Sequence, residues 1–244
     1  MMIEVQEVTK IFKAGEKALD GVSLQVAEGR TLCLIGTSGC GKTTLLKLLN
    51  RLVEPSSGRI FIDGQSITDQ GVVALRRRMG YVMQKGGLFP HMTVAENVGL
   101  IPRLAGWSTE RIRARLPEWL ERVNLVPTRH FETRYPAELS GGQQQRVGVA
   151  RALAISPPII LMDEPFGALD PITRRQLQSE FLRLKNELKK TIVFVTHDLN
   201  EAFRLGDEIA IMDRGKILQI GSAQSIQQAP ATPFVAEFVR SFSA

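Results

Sequence analysis

The sequence has 244 residues, 43% hydrophobic and 23% charged, which is the composition of an ordinary globular protein. Two closely spaced cysteines, Cys33 and Cys40, are too few for a disulfide framework and favour a reducing compartment, and no apolar run approaches the ~20 residues that span a bilayer. The net charge of +6 comes from basic residues interleaved with acidic ones, so we expect no nucleic-acid partner.

The first third of the chain alternates strand patterns with turns. Met1 leads directly into a strand pattern, which is not typical of a signal peptide. A helix is predicted from Lys42 to about Asn50, and the predicted strands are Ile3–Val8, Val22–Val26, Arg30–Ile35 and Arg59–Ile62.

The middle of the chain, residues 93–133, has a helical pattern. Thr93 and Glu96 have capping-box spacing, and Ser108 is a candidate N-cap for a helix over Thr109–Val123. We predict that this stretch is an inserted α-helical subdomain.

Strands and helices then alternate to the end of the chain. Helices are predicted from Ser140, Pro171 and Leu199, and the predicted strands are Ile159–Asp163, Thr191–Thr196, Glu208–Met212 and Lys216–Ile220. Such alternation predicts an α/β fold with a mainly parallel core sheet. We expect a single domain over 1–244, with residues 1–92 and 134–244 as its core, the N-terminal part being an antiparallel β subdomain.

Residues 36–43 fit the phosphate-loop pattern G-x-x-x-x-G-K-[ST] at every specified position. The loop lies between a predicted strand and the helix that begins at Lys42, so backbone N–H groups and the helix N-terminus can surround phosphates. Lys42 would reach the outer phosphates, and the Thr43 hydroxyl would bind Mg²⁺. The predicted nucleotide-binding residues here are Gly36, Thr37, Ser38, Gly39, Cys40, Gly41, Lys42, Thr43 and Thr44. A thiol at a helix N-terminus can be reactive, but Cys40 can equally be a small residue that supplies only its backbone.

A second acidic feature follows the apolar strand Ile159–Met162. Burying a strand that ends in Asp163 and Glu164 is costly unless a cation meets the carboxylates. Asp163 is therefore predicted to hold Mg²⁺, and Glu164 to polarise an attacking water as general base.

Leu139–Gln143 is a third feature, with two glycines between Ser140 and Gln143 and a predicted helix behind them. The pattern is that of a helix cap, and it is also that of an anion site at a helix N-terminus. The residues alone leave these two interpretations open.

These motifs together resemble those of the ATP-binding-cassette (ABC) ATPases, in the order of that family and over nearly the whole chain. The resemblance implies a P-loop NTPase cassette that hydrolyses Mg-ATP. Leu139–Gln143 then resembles the family's signature sequence, and its nucleotide-binding residues, Ser140, Gly141, Gly142 and Gln143, would serve the ATP of a second cassette in a head-to-tail homodimer.

The remaining site residues rest on the same resemblance. Gln84, after a predicted strand over Gly80–Met83, resembles the glutamine that contacts Mg²⁺ and the attacking water, and His197 the histidine that contacts the γ-phosphate. Phe12 resembles the aromatic that stacks on adenine, with a core phenylalanine as the alternative. Ala168–Asp170 resembles the D-loop, and Asp170 can also cap a helix that begins at Pro171.

A chain with a phosphate loop can belong to any of three functional classes, which the other motifs separate. A P-loop kinase or GTPase has no use for the signature motif, and a soluble ABC protein of DNA repair or of ribosomes usually carries features that are absent from this sequence. An importer subunit is favoured, bound peripherally at the cytoplasmic face of the plasma (inner) membrane to integral-membrane permease subunits, and served indirectly by a solute-binding protein.

Two segments refine the importer interpretation. Asn50–Pro55 and Gly80–Trp107 resemble the ATPases of osmoprotectant importers for glycine betaine, choline, carnitine or proline betaine, with amino-acid importers as the alternative. Apolar residues after Gln84 form either a groove for a permease helix or an ordinary core: Leu88, Phe89, Met92, Leu100 and Trp107. The sequence ends at Ala244 without the tandem regulatory domains of many such ATPases, which leaves regulation by salt open.

Overall fold

The computed structural model describes residues 1–13, 15–84, 87–167 and 169–241. They form two compact units, one made of Met1–Arg76 with Lys189–Ala244 and the other of Arg77–Leu188. The predicted division into a core and a helical insert at 93–133 stays a prediction.

The secondary structure follows the predicted alternation closely. The strands are β1 (Ile3–Ile11), β2 (Lys17–Val26), β3 (Thr31–Gly36), β4 (Ser57–Ile62), β5 (Gln65–Ser66), β6 (Met79–Val82), β7 (Ile159–Asp163), β8 (Thr191–Val195), β9 (Glu208–Asp213) and β10 (Lys216–Gly221). The helices are α1 (Lys42–Leu49), α2 (Val72–Arg77), α3 (Val94–Leu104), α4 (Thr109–Arg122), α5 (Gly141–Leu153), α6 (Pro171–Leu188), α7 (Leu199–Leu205), α8 (Ala223–Gln228) and α9 (Pro233–Arg240). Short 3₁₀ turns occupy Thr128–His130 and Pro136–Glu138.

The first unit contains an antiparallel sheet with the order β2-β1-β4-β5. In β1 the side chains of Ile3, Val5 and Val8 are buried while intervening polar residues face outward, which is the pattern of a half-buried strand. β2 begins five residues before its predicted start at Val22, because Gly21 lies inside the strand rather than at its end.

The same unit contains a second set of strands with the order β10-β9-β3-β8. β3 is buried along its whole length and pairs in parallel with both β8 and β9, whereas β9 and β10 form an antiparallel hairpin. Because parallel strands end at one edge of a sheet, the loops after β3 and β8 leave from the same edge. Those loops carry the phosphate-loop motif and His197.

In the second unit, β6 pairs in parallel with β7, with Val82 opposite Met162. This pairing brings the ends of the two strands, and so Gln84 and Glu164, to one edge. The helices α3, α4 and α5 share an apolar cluster that includes Val98, Leu120 and Val147, all 0% exposed. That cluster fixes the helix that follows the signature motif.

Within the described ranges, none of the helices combines the length and the apolar character required to cross a bilayer. α2 is not among the predicted helices, because it is only six residues long and shows only Leu75 as a buried residue.

Candidate functional site

The phosphate loop joins β3 to α1, and α1 begins at Lys42 as predicted. Two glycines are required by close backbone approach. A Cβ on Gly36 would lie 1.9 Å from the Met212 carbonyl oxygen, and a Cβ on Gly41, which has φ +105°, would lie 2.4 Å from the Ala18 carbonyl oxygen. The glycines of the motif therefore let the loop lie against β2 and β9.

Lys42 is folded back into its own loop. Its Nζ donates to the carbonyl oxygens of Gly36 and Thr37, at 2.8 Å each, and lies 3.6 Å from the Cys40 sulfur. The side chain is only 7% exposed, so the positive charge is held inside the loop where phosphate oxygens would bind.

The loop is supported from the turn between β9 and β10. The Thr37 hydroxyl donates to Asp213 at 3.0 Å, and the Gly215 N–H donates to the Cys40 carbonyl at 3.1 Å. The Cys40 side chain is 2% exposed, so access to the thiol from solvent is small.

The other predicted nucleotide residues of this unit differ in exposure. Ser38 and Gly39 are exposed, and Thr43 and Thr44 are partly buried. Phe12 is 40% exposed and lies 5.3 Å below the Lys10 ammonium, which argues against a core phenylalanine and leaves an aromatic face available for stacking.

His197 is exposed directly after β8, between two anchored residues. The Thr196 hydroxyl donates to buried Glu201 at 2.6 Å, and Asp198 caps α7 by accepting from the Asn200 and Glu201 N–H groups. These bonds fix the backbone on both sides of the imidazole.

In the second unit, Glu164 follows Asp163 at the end of β7 and has a left-handed backbone, with φ +44°. The Gln84 side-chain amide donates to Glu164 Oε2 at 2.8 Å. A Cβ on Gly167 would lie 3.2 Å from the same oxygen. The structure thus brings together two of the predicted catalytic residues.

Tyr81 lies on β6, opposite Leu161 of β7. Burial, and secondarily the charge of Asp163, raise the pKa of the Tyr81 phenol well above its ordinary value of 10.0. The phenol is therefore neutral at physiological pH.

The signature motif forms the N-terminus of α5. The Ser140 hydroxyl accepts from the Gln143 N–H at 3.3 Å, and the Gln143 side chain accepts from the Ser140 N–H at 3.0 Å. This confirms the capping box predicted at Ser140. The structure also confirms the predicted capping box at Thr93 and the predicted N-cap at Ser108. The two glycines face α6: a Cβ on Gly142 would lie 2.5 Å from the Thr173 methyl, and one on Gly141 would lie 3.8 Å from Leu169.

Asp170 caps α6 as predicted, accepting from the N–H groups of Ile172 at 3.1 Å and Thr173 at 3.0 Å. Hydrogen bonds from Thr173, first from its backbone and then from its side chain, hold the pKa of the Asp170 carboxyl below its ordinary 3.8. Ala168 of the predicted D-loop, and Lys85 and Gly86 after Gln84, lie outside the described residues.

Sequence reasoning missed Asn97, which organises the segment after Gln84. Its side chain is 0% exposed, accepts from the Phe89 N–H at 2.8 Å and donates to the carbonyl oxygens of Phe89, Met92 and Thr93. The only signal in the sequence is a polar residue on the apolar side of α3. Leu88 and Trp107 pack against the helical core, whereas Phe89 is 41% exposed.

Among the described residues, no group of three His, Cys, Asp or Glu side chains gathers into a metal cage. Mg²⁺ is commonly held by one or two carboxylates together with substrate phosphates, and Asp163 at the end of β7 is a carboxylate of this kind. The residues present thus fit Mg²⁺ that arrives with a nucleotide.

The chain was then compared with known proteins. The sequence model of the ABC transporter family matches residues 19–167. The chain is 55% identical over 98% of its length to the glycine betaine/carnitine/choline transport ATP-binding protein OpuCA of Bacillus subtilis, and it spans 62% of that relative. It is 50% identical over 97% of its length to the glycine betaine uptake system ATP-binding protein YehX of Escherichia coli and spans 76% of it.

The solved structures agree with the sequence comparisons. The dimeric post-hydrolysis structure of the ATP-binding cassette MJ0796 bound to ADP and Pi has a TM-score of 0.81 and 37% identity, covering 91% of this chain and 98% of that one. The predicted α/β cassette fold is confirmed. By the family match and by these relatives, the chain belongs to the ABC transporter family.

Proposed function

We propose that this chain is the ATP-hydrolysing subunit of an ABC importer for a quaternary-ammonium osmoprotectant such as glycine betaine or choline. The observation that carries the ATPase part is the Gln84–Glu164 contact, and the complete phosphate loop of the other unit, with Lys42 folded into it, supports it independently. The cargo class is supported by the names of relatives that are 50–55% identical, glycine betaine, carnitine and choline transport proteins.

ATP binding would be the task of the phosphate loop. The loop N–H groups and the Lys42 ammonium supply positive charge to the phosphates, and Lys42 would exchange the Gly36 and Thr37 carbonyls for phosphate oxygens. Phe12 would stack on adenine through its exposed ring.

Hydrolysis would proceed by in-line attack of water on the γ-phosphate. Glu164 would accept the proton of that water, with the Gln84 amide holding the carboxylate in place at 2.8 Å. Asp163, Gln84 and the Thr43 hydroxyl would hold Mg²⁺, which supplies charge neutralisation at the phosphates. His197 would donate to the γ-phosphate from the loop after β8.

Two copies of the chain would bind ATP between them. Ser140, Gly141, Gly142 and Gln143 of one copy would close on the nucleotide held by the other copy's phosphate loop, and Asp170 would lie at the same interface. These residues lie at the N-terminus of α5, where a helix offers partial positive charge to an anion, and the dimeric MJ0796 cassette supports the arrangement.

Partners and location follow from this role. The homodimer would bind integral-membrane permease subunits at the cytoplasmic face of the plasma (inner) membrane, and a solute-binding protein would deliver the cargo. ATP binding would favour the closed dimer and hydrolysis would release it.

Replacing Glu164 tests the ATPase. We expect Glu164→Gln to keep ATP binding, to lower hydrolysis by about 10²- to 10⁴-fold and to accumulate an ATP-bound dimer, because the base is lost while the hydrogen bond to Gln84 can be kept. Phosphate release and sedimentation velocity measure the two effects. Glu187→Gln, on an exposed part of α6, is the matched control. Hydrolysis at the normal rate in Glu164→Gln would remove Glu164 as the base.

The cargo is tested separately. Membranes that express tagged Glu164→Gln are solubilised with ATP, and the proteins that co-purify are identified by mass spectrometry. We expect a multi-spanning permease and a solute-binding protein that binds glycine betaine or choline in calorimetry. A binding protein with an amino-acid ligand would contradict the osmoprotectant proposal and leave the ATPase intact.

A further inference from the structure

An ion pair that includes none of the proposed catalytic residues joins three elements of the second unit. Arg146 on α5 forms it with Glu180 on α6, and the same Arg146 Nη1 donates to the Val123 carbonyl at the end of α4 at 2.9 Å. The Asn124 amide donates to the other carboxylate oxygen of Glu180 at 3.2 Å. Each carboxylate oxygen of Glu180 therefore accepts from a different neighbour, Arg146 on α5 or Asn124 just after α4.

The surroundings make this pair different from the other ion pairs of the unit. The Arg146 and Glu180 side chains are 11% and 20% exposed. Those of Arg183 and Glu187, which pair with each other on α6, are 56% and 54% exposed. Apolar side chains line a narrow crevice beside the pair: Val123, Val149, Met162, Phe166, Leu177, Phe181 and Leu184. In such surroundings a paired charge is strongly held, and removing one partner is costly.

The pair lies behind the signature motif and behind Asp170. Arg146 follows Ser140 by six residues, roughly 9 Å along the helix axis, and Glu180 follows Asp170 by ten residues, roughly 15 Å. At the front, the same two helices meet where Gly142 faces Thr173. α5 and α6 are therefore fixed to each other at two points, and through Arg146 also to the end of α4.

We infer that Arg146 and Glu180 are positioning residues that hold the signature motif and Asp170 in one rigid arrangement for the second copy of the chain. The role rests on the proposed function, because the signature motif acts there on the partner's ATP. Two-point attachment restricts the sliding of α5 along α6, which a single contact at the front would permit. Loss of the pair should weaken closure of the dimer without changing how the phosphate loop binds nucleotide.

The test compares Glu180→Gln with Glu187→Gln, each placed in a Glu164→Gln chain. Sedimentation equilibrium in the presence of ATP gives the dimer dissociation constant, and a fluorescent ADP titration gives nucleotide affinity. We expect Glu180→Gln to raise the dimer dissociation constant about tenfold, which corresponds to ~1.4 kcal/mol, and to leave ADP affinity unchanged. Arg146→Lys should do the same, because the lysine side chain is shorter and lacks the planar guanidinium that reaches Val123 and Glu180 together.

Amide hydrogen exchange on the monomer supplies a second readout. We expect faster exchange at residues 141–146 and 171–175 together in Glu180→Gln, and no change in Glu187→Gln. An unchanged dimer constant, unchanged exchange at either segment, or a parallel loss of ADP affinity and melting temperature would overturn the inference. If the Glu164→Gln parent itself fails to dimerise with ATP, the proposed function fails, and the exchange pattern alone decides the role of the pair.

Discussion

Gly142 shows how a single missing side chain shapes the signature motif. Its α-carbon faces the Thr173 methyl so closely that an added Cβ would lie 2.5 Å away, whereas the neighbouring Gly141 has 3.8 Å to Leu169. The first distance is a collision and the second an ordinary van der Waals contact. The two glycines are adjacent in sequence but differ in why they lack a side chain. Packing against α6 explains Gly142 and does not explain Gly141.

We expect Gly142→Ala to destabilise the protein by about 1–3 kcal/mol, because the new methyl overpacks the contact with α6. Gly141→Ala is the matched control and should cost little, since alanine also favours a helix. Urea unfolding followed by circular dichroism measures both. Adding Thr173→Ser removes the opposing methyl and should restore most of the loss. Equal stability of the two alanine variants would contradict the packing explanation.

At the scale of elements, sequence motifs and helix caps predicted where helices begin better than the hydrophobic pattern did. The starts of α1, α3, α4, α5 and α6 follow from local features such as the capping boxes and from Asp170 before Pro171. α2 and the beginning of β2 were missed, because α2 is only six residues long and β2 contains Gly21. The bonds of Arg146 join segments that are distant in sequence, and no local pattern encodes such partners.

The cap of α6 predicts a pH dependence. The folded-state pKa of Asp170 is lowered from 3.8, so its carboxylate stabilises the folded state fully above that value and loses this effect as pH falls through the lower, folded-state pKa. Asp170→Asn should therefore cost a small, constant stability between neutral pH and about pH 5, because the unfolded Asp is ionised there. Urea unfolding of both proteins across this range measures the difference. A difference that already disappears at pH 5 would mean that the carboxyl titrates higher than the hydrogen bonds imply.

At the scale of the whole molecule, the chain carries a net charge of +6 and shows, within its described part, no helix suited to a membrane. Its predicted nucleotide residues are divided between the two compact units: Lys42 and His197 belong to one, Glu164 and Ser140 to the other. Nucleotide binding should therefore be visible as stabilisation of the entire fold, since a ligand that binds only the native state raises its free energy of unfolding.

We expect Mg-ATP at a hundredfold excess over its dissociation constant to stabilise Glu164→Gln by about 2.7 kcal/mol, observed as a higher melting temperature. Lys42→Ala should lose most of this shift, because the buried ammonium of the phosphate loop is gone. Lys47→Ala, an exposed lysine on the same helix, is the control. Chelating Mg²⁺ with EDTA should reduce the shift. An undiminished shift in Lys42→Ala would count against the phosphate-loop assignment.

The supports of the phosphate loop have a consequence for synthesis of the chain on the ribosome. Thr37 and Cys40 are hydrogen-bonded to Asp213 and Gly215, and β3 pairs with β8 and β9. The phosphate loop, which is translated early, therefore depends on segments that are translated near the end of the chain. At ordinary elongation rates this delay is on the order of ten seconds or more. During that time β3, apolar along its length, has neither of its neighbours. The nascent chain should therefore be unable to retain ATP until the β9–β10 hairpin has left the exit tunnel, and a chain stalled before Asp213 should present β3 to chaperones instead.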